Sequence, residues 1–131
     1  MRKLKLIPLL IMIVIVFTSM TSCQELERED VVGTWYWAGN GFVARELELS
    51  ESGIANLIYY IEGRAAHGKL GKFSVQGDTV CITFITSYIG NDLNTSERLS
   101  GGEEYVFFTY NKEKSIEYLE DESERIFKKV G

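Results

Sequence analysis

The chain has little of what catalytic and metal sites are usually built from. Its 131 residues include one histidine, His67, and two cysteines, Cys23 and Cys81, too few to complete a zinc shell of His and Cys ligands. It has no glycine-rich phosphate cradle and no nucleophile elbow. The adjacent acids Glu103-Glu104 and Glu120-Asp121-Glu122 fall where neighbours on a strand point to opposite faces, so they make poor acid–base pairs. His67, in Arg64-Ala65-Ala66-His67-Gly68, reads as a solvated turn residue. No enzyme activity, metal or cofactor is expected on these grounds. The single proline, Pro8, precedes everything that reads as strand, so no strand is interrupted by one. The longest apolar run, residues 6–17, is twelve residues long, short of the 18 or so that cross a bilayer as a helix.

That run belongs to a recognisable beginning. Arg2, Lys3 and Lys5 form a basic start, the apolar run follows, and small polar residues come next, which are the three parts of a secretory signal. Met20-Thr21-Ser22-Cys23 resembles the lipobox of bacterial lipoproteins. The resemblance implies cleavage before Cys23, a diacylglyceryl thioether on its thiol and acylation of its new amino group. Two or more acyl chains, each contributing about 0.8 kcal/mol per buried methylene, hold a protein stably on a membrane. The expected location is the bacterial cell envelope. Gln24 stands where an Asp would favour the inner membrane, so the outer one is favoured in a source with two membranes. The expected organisation is a signal over residues 1–22, a lipidated cysteine with an acidic tether over 23–30, and one domain over 31–131. With Cys23 modified, Cys81 has no partner in the chain, and no disulfide is expected.

Without residues 1–22 the chain keeps 109 residues, with 11 basic and 19 acidic side chains and a net charge of −8. That length suits one domain. The acidity argues against nucleic acid, which needs clustered Lys and Arg to neutralise phosphates, and against electrostatic docking on anionic lipid.

Alternating apolar residues punctuated by glycine turns predict eight strands, over 31–37, 42–50, 54–61, 69–76, 79–86, 103–110, 115–120 and 124–130. Residues 87–102 break the rhythm and read as a long loop. The fold class is all-β: an eight-stranded antiparallel up-and-down meander, either closed into a small barrel or folded as a sandwich. Closure is favoured because it removes exposed sheet edges.

Several pieces in order resemble bacterial lipocalin-like domains: Gly33-Thr34-Trp35 at the start, Leu47-Glu48-Leu49 leading to Ser52-Gly53, Gly71-Lys72-Phe73 with the Gly77-Asp78 hairpin, and Phe127-Lys128 near the end. The resemblance implies a lipocalin-like barrel in which Gly33 and Trp35 are structural. Trp35 would pack at the closed end beneath a basic residue of the last strand, Arg125 or Lys128.

Binding is the functional prospect. Trp37, Tyr59, Tyr60, Phe84, Tyr105 and Phe107 are candidates to line a barrel interior, which is either filled by side chains or holds one small apolar or amphipathic ligand. Arg45 shares a face with Val43 and Leu47 by alternation, which places it either at a barrel mouth facing a carboxylate or phosphate, or snorkelling to water. Strands 54–61 and 105–110 are apolar on both faces. Either Ile54, Ile58 and Tyr60 or Leu57, Tyr59 and Ile61 could then form an exposed patch. That supports the alternative of a protein-binding module, an enzyme inhibitor or an envelope assembly or stress factor working through the barrel exterior.

Overall fold

The computed structural model describes residues 26–130. The expected signal, Cys23 and its acyl chains, and residues 24–25 of the acidic tether lie outside them. A four-residue helix, α1 (Arg28–Val31), precedes nine strands: β1 (Gly33–Trp37), β2 (Val43–Leu49), β3 (Ile54–Ile61), β4 (Arg64–Gln76), β5 (Thr79–Ile89), β6 (Asp92–Arg98), β7 (Glu104–Glu113), β8 (Ile116–Asp121) and β9 (Ile126–Val130). Eight of them pair antiparallel in the cyclic order β1-β2-β3-β4-β5-β7-β8-β9, and β9 returns to β1. The sheet is thereby a closed barrel, as the alternation predicts.

β6 is the exception. Residues 87–102 are not a loop: β5 runs on to Ile89 and turns back as β6, with Thr86 opposite Arg98 and Ile89 opposite Asp92. β5 is longer than one neighbour can cover. Its first part, up to Phe84, pairs with β7, and its last part carries β6 instead. β4 also starts earlier than the alternation predicts, at Arg64. The β4, β5 and β6 ends therefore rise above the rest of the rim as a wall on one side of the barrel mouth.

Side chains of one parity fill the barrel. Trp35, Leu47, Val80, Ile82, Phe84, Phe108, Leu119 and Phe127 are each less than 2 % exposed and belong to one contiguous cluster. Burying side chains of this size contributes about 1.5–3 kcal/mol each. Phe84, proposed from the sequence as a ligand contact, is part of this packing. The middle of the barrel is a core.

The closed end is sealed by α1 and Trp35. Val31 is fully buried, and its carbonyl accepts the Trp35 Nε1–H at 2.9 Å. Leu26, just before the helix, ties to the β4–β5 turn through its N–H to the Gly77 carbonyl. The cation over Trp35 is Lys129, with Nζ 5.4 Å from the ring centroid, and not Arg125 or Lys128. Strand parity is the reason: Lys129 is directly opposite Trp35, whereas Lys128 is opposite Tyr36 on the outer face. Lys129 is held by Glu117 at 3.3 Å and the Asp30 carbonyl at 3.2 Å. Tyr110 packs edge-on to Trp35 and donates to Glu117 at 2.8 Å. Gly33 is required here: its φ is +142°, and a Cβ would press on the Lys129 side chain at 3.2 Å.

The outer face corrects two further expectations. Tyr105 and Phe107 are 61 % and 44 % exposed and point outward. Their neighbours Val106 and Phe108 pair with Ile82 and Val80 across the barrel wall and take the interior. Ile58 is only 5 % exposed and does not extend a surface patch with Ile54. Tyr88 lies across Gly68, where a Cβ would meet the ring at 2.2 Å, and its hydroxyl donates to Asn56 on β3. Its ring thus crosses β4 and covers the outer side of the sheet beside Ile58, which is opposite Gly68.

Candidate functional site at the barrel mouth

Inward-facing positions change character at the open end. Going round the rim, β1 supplies Trp37, β2 Arg45, β3 Tyr59 and β4 His67, each directly opposite the next across its strand pair. The β8–β9 connection adds Arg125 and β7 adds Glu104. Opposed residues in antiparallel strands share a face and lie about 5 Å apart, so the register alone brings this row together.

The row is a stack of cations and rings. The Arg125 guanidinium is 5.4 Å from the Trp37 ring centroid, and the Arg45 guanidinium is 5.7 Å from the same ring. Arg45 also lies 4.6 Å from the Tyr59 centroid. His67 stacks on Tyr59 at 4.3 Å with 17° between the ring planes, and Lys69 Nζ is 5.5 Å from that ring. Cation–ring contacts contribute about 0.5–2 kcal/mol each. Beneath them Phe84 forms a fully buried floor, and Leu99 packs onto the core from the β6–β7 connection.

Two of the three permanent cations are matched. Lys69 binds Glu104 at 2.9 Å, and Arg125 binds Asp121 at 2.9 Å. Burial works against the Lys69 ammonium, but the Glu104 bond and Tyr59 outweigh it and leave its pKa raised. Arg45 is different. Among the described residues no acid lies within ion-pair distance of it, and its Nε is a buried nitrogen without a hydrogen-bond partner. Among the described residues, the mouth carries one positive charge without an ion-pair partner.

Of the residues the sequence offers as ligand contacts, the structure brings Arg45, Trp37 and Tyr59 next to one another at the mouth. It puts Phe84 in the floor and sends Tyr105 and Phe107 outside. His67 is not in a turn: it lies on β4, its pKa lowered by partial burial and by Lys69 and Arg45. Lys69 and His67 could have been found by carrying the β4 alternation back from Phe73 through Gly71. Arg125, expected over Trp35, serves Trp37 instead.

Above the stack, two exposed aliphatic side chains continue the inner face. Ile61 follows Tyr59 on the same face of β3 and is 43 % exposed; Ile89 is opposite His67 and is 69 % exposed. The mouth therefore offers an N–H-rich cation without an acceptor beside exposed aliphatic surface. Such a pair of features has the chemistry to meet an anionic head joined to an apolar body. No protein-family model, curated protein or solved structure matches the chain.

Proposed function

We propose that this protein is a lipid-anchored, non-enzymatic envelope protein with a lipocalin-like barrel, and that its mouth binds a small amphipathic anion. The observation that carries the reading is Arg45: a guanidinium held between two aromatic rings, with a buried Nε–H that has no acceptor. Burying a donor without an acceptor costs about 1–3 kcal/mol, so the guanidinium is held at a cost, and a ligand carboxylate or phosphate would answer its charge through the terminal N–H groups. The filled core makes the binding mode a cap on the barrel, with the head on Arg45 and the tail along Ile61 and Ile89.

Calorimetric titration with octanoate and octyl phosphate tests this. Arg45→Met should weaken both by at least about tenfold, since a hydrogen bond to a charged group is worth about 1.5–3 kcal/mol. Unchanged affinity would remove Arg45 from the site. Inorganic phosphate binding as tightly as octyl phosphate would remove Ile61 and Ile89 from the site. For the anchor, supported by Met20-Thr21-Ser22-Cys23, Cys23→Ala should move the protein from the membrane fraction to the soluble one, and unchanged partition would refute lipidation there.

A second reading rests on the outer face. Tyr105 and Phe107 project side by side opposite Thr83 and Cys81, an exposed aromatic pair suited to a protein partner such as an inhibited enzyme or an assembly factor. Phe107→Asp should abolish a cross-link formed in the envelope, and a persistent cross-link counts against this surface.

A further inference from the structure

Three ionisable groups gather round one ring at the mouth, and only one of them can change charge near neutral pH. Arg45 Cζ is 4.6 Å, Lys69 Nζ 5.5 Å and the His67 ring 4.3 Å from the Tyr59 centroid. β3 lies between β2 and β4, so Arg45 and His67 approach Tyr59 from opposite sides. The His67 and Arg45 charges are therefore no more than about 9 Å apart by these contacts. Resting on the anion-binding reading above, we infer that His67 is the second cation of the mouth, and that the site takes up a proton when it takes up an anion.

The electrostatics fix the sign. The groups facing His67 are Arg45 from β2, Tyr59 from β3, Lys69 of its own strand and, through Lys69, Glu104 of β7. β5 presents the uncharged Ile89 and Ser87, and β6 sets Asp92 opposite Ile89 and Glu97 opposite Ser87. In the free protein, partial burial and then the Lys69 and Arg45 charges hold the imidazole below its ordinary 6.5. An anion on Arg45 adds one attraction for the imidazolium, which offsets the Arg45 repulsion. A proton then moves from water to the free ring nitrogen, giving imidazolium, and no bond is made or broken elsewhere. By reciprocity, protonated His67 tightens the anion by the same factor that the anion favours the proton. Two unit charges about 9 Å apart change an equilibrium about twofold in a water-like dielectric and about twentyfold at an effective constant of about 20. Anion affinity rises as pH falls through the His67 titration. With His67 neutral the mouth has one spare positive charge and suits a monoanion; with it protonated there are two, and a phosphomonoester dianion gains more than a carboxylate.

His67 is the only histidine in the sequence, so its ring protons report it without ambiguity in the NMR spectrum of the full-length protein. Its titration is followed from about pH 8 to about pH 5.5, where a carboxylate remains mostly ionised, with and without saturating octanoate. The midpoint should move up by about 0.3 to 1.3 pH units, and octanoate should bind about two to twenty times more tightly at the acid end. His67→Gln should still bind octanoate, with that pH dependence gone, and His67→Lys should bind tightly at both ends. Bound octanoate with an unmoved His67 midpoint would overturn the coupling while leaving the binding site intact. Octanoate failing to bind at any pH would overturn both.

Discussion

Replacing Arg45 by Met should weaken anion binding at least about tenfold while leaving the fold almost as stable as before. The guanidinium takes part in two opposing effects. Removing it frees the structure of a buried Nε–H without an acceptor, a gain of about 1–3 kcal/mol. It also removes contacts with Trp37 and Tyr59, a loss of about 0.5–1 kcal/mol each where the pair keeps some water contact. Methionine keeps an unbranched stem against the same rings, so little packing is lost. The two effects nearly cancel, and the net change lies within about 1 to 2 kcal/mol of zero. Urea unfolding followed by tryptophan fluorescence reads this directly, provided the slope against urea is unchanged. Repeating it with octanoate at about a hundred times the wild-type dissociation constant should stabilise the wild type by about 2.7 kcal/mol and the variant by no more than about 1.4 kcal/mol. A loss of more than about 3 kcal/mol without ligand would refute the reasoning, because it would make Arg45 a structural keystone whose Nε–H is satisfied in solution.

Trp35→Ala should cost about 3–5 kcal/mol, the range for a large aromatic removed from a core, because Trp35 is fully buried under Lys129 and Tyr110; a loss under about 1 kcal/mol in urea unfolding would mean that α1 does not seal the barrel end. Stability should fall at alkaline pH, because burial and hydrogen bonds to Glu46 and Glu117 push Tyr60 and Tyr110 up to about 12 from 10.0. Raised folded-state pKa values stabilise fully below the unfolded value of about 10 and lose that contribution as pH rises toward 12; the Tyr60→Phe, Tyr110→Phe double variant should flatten melting temperature over this window, and an unchanged alkaline limb would assign it to other groups.

The strands that alternate cleanly were legible from the sequence, and the one that does not was missed. β6 is exposed at six of its seven positions, so Asp92 to Arg98 has no apolar face to betray a strand; it exists because β5 outruns β7 and offers a free edge. β7 was ambiguous for the opposite reason. It is apolar on both faces, and only pairing with Val80 and Ile82 decides that Val106 and Phe108 go inside and Tyr105 and Phe107 outside. Glu104, with the inner parity, is tolerated because it sits at the mouth and meets Lys69. Arg45 was legible because a charged residue in an inward series has few places to be other than a rim. His67 was hidden by the glycines around it, which read as a turn; Gly68 is there to admit the Tyr88 ring, not to bend the chain.

The two ends of the barrel give the strongest reason to treat the mouth as a site. Each end sets cations over an inward tryptophan of β1: Lys129 over Trp35 at the bottom, Arg125 and Arg45 over Trp37 at the top. At the bottom the charge is answered completely, by the Glu117 carboxylate and the Asp30 carbonyl. At the top Arg125 is answered by Asp121, and Arg45 by nothing among the described residues. A cation needed only to cap a ring would gain from an acidic neighbour, and strand register provides positions for one: Val43 and Ile61 flank the site on the inner face of β2 and β3, and both are aliphatic. Placing Glu at position 43 or 61 should therefore give Arg45 an internal partner, stabilising the free barrel or leaving it unchanged while competing with octanoate. If Val43→Glu instead leaves octanoate affinity intact, the open valence of Arg45 is not what the ligand uses.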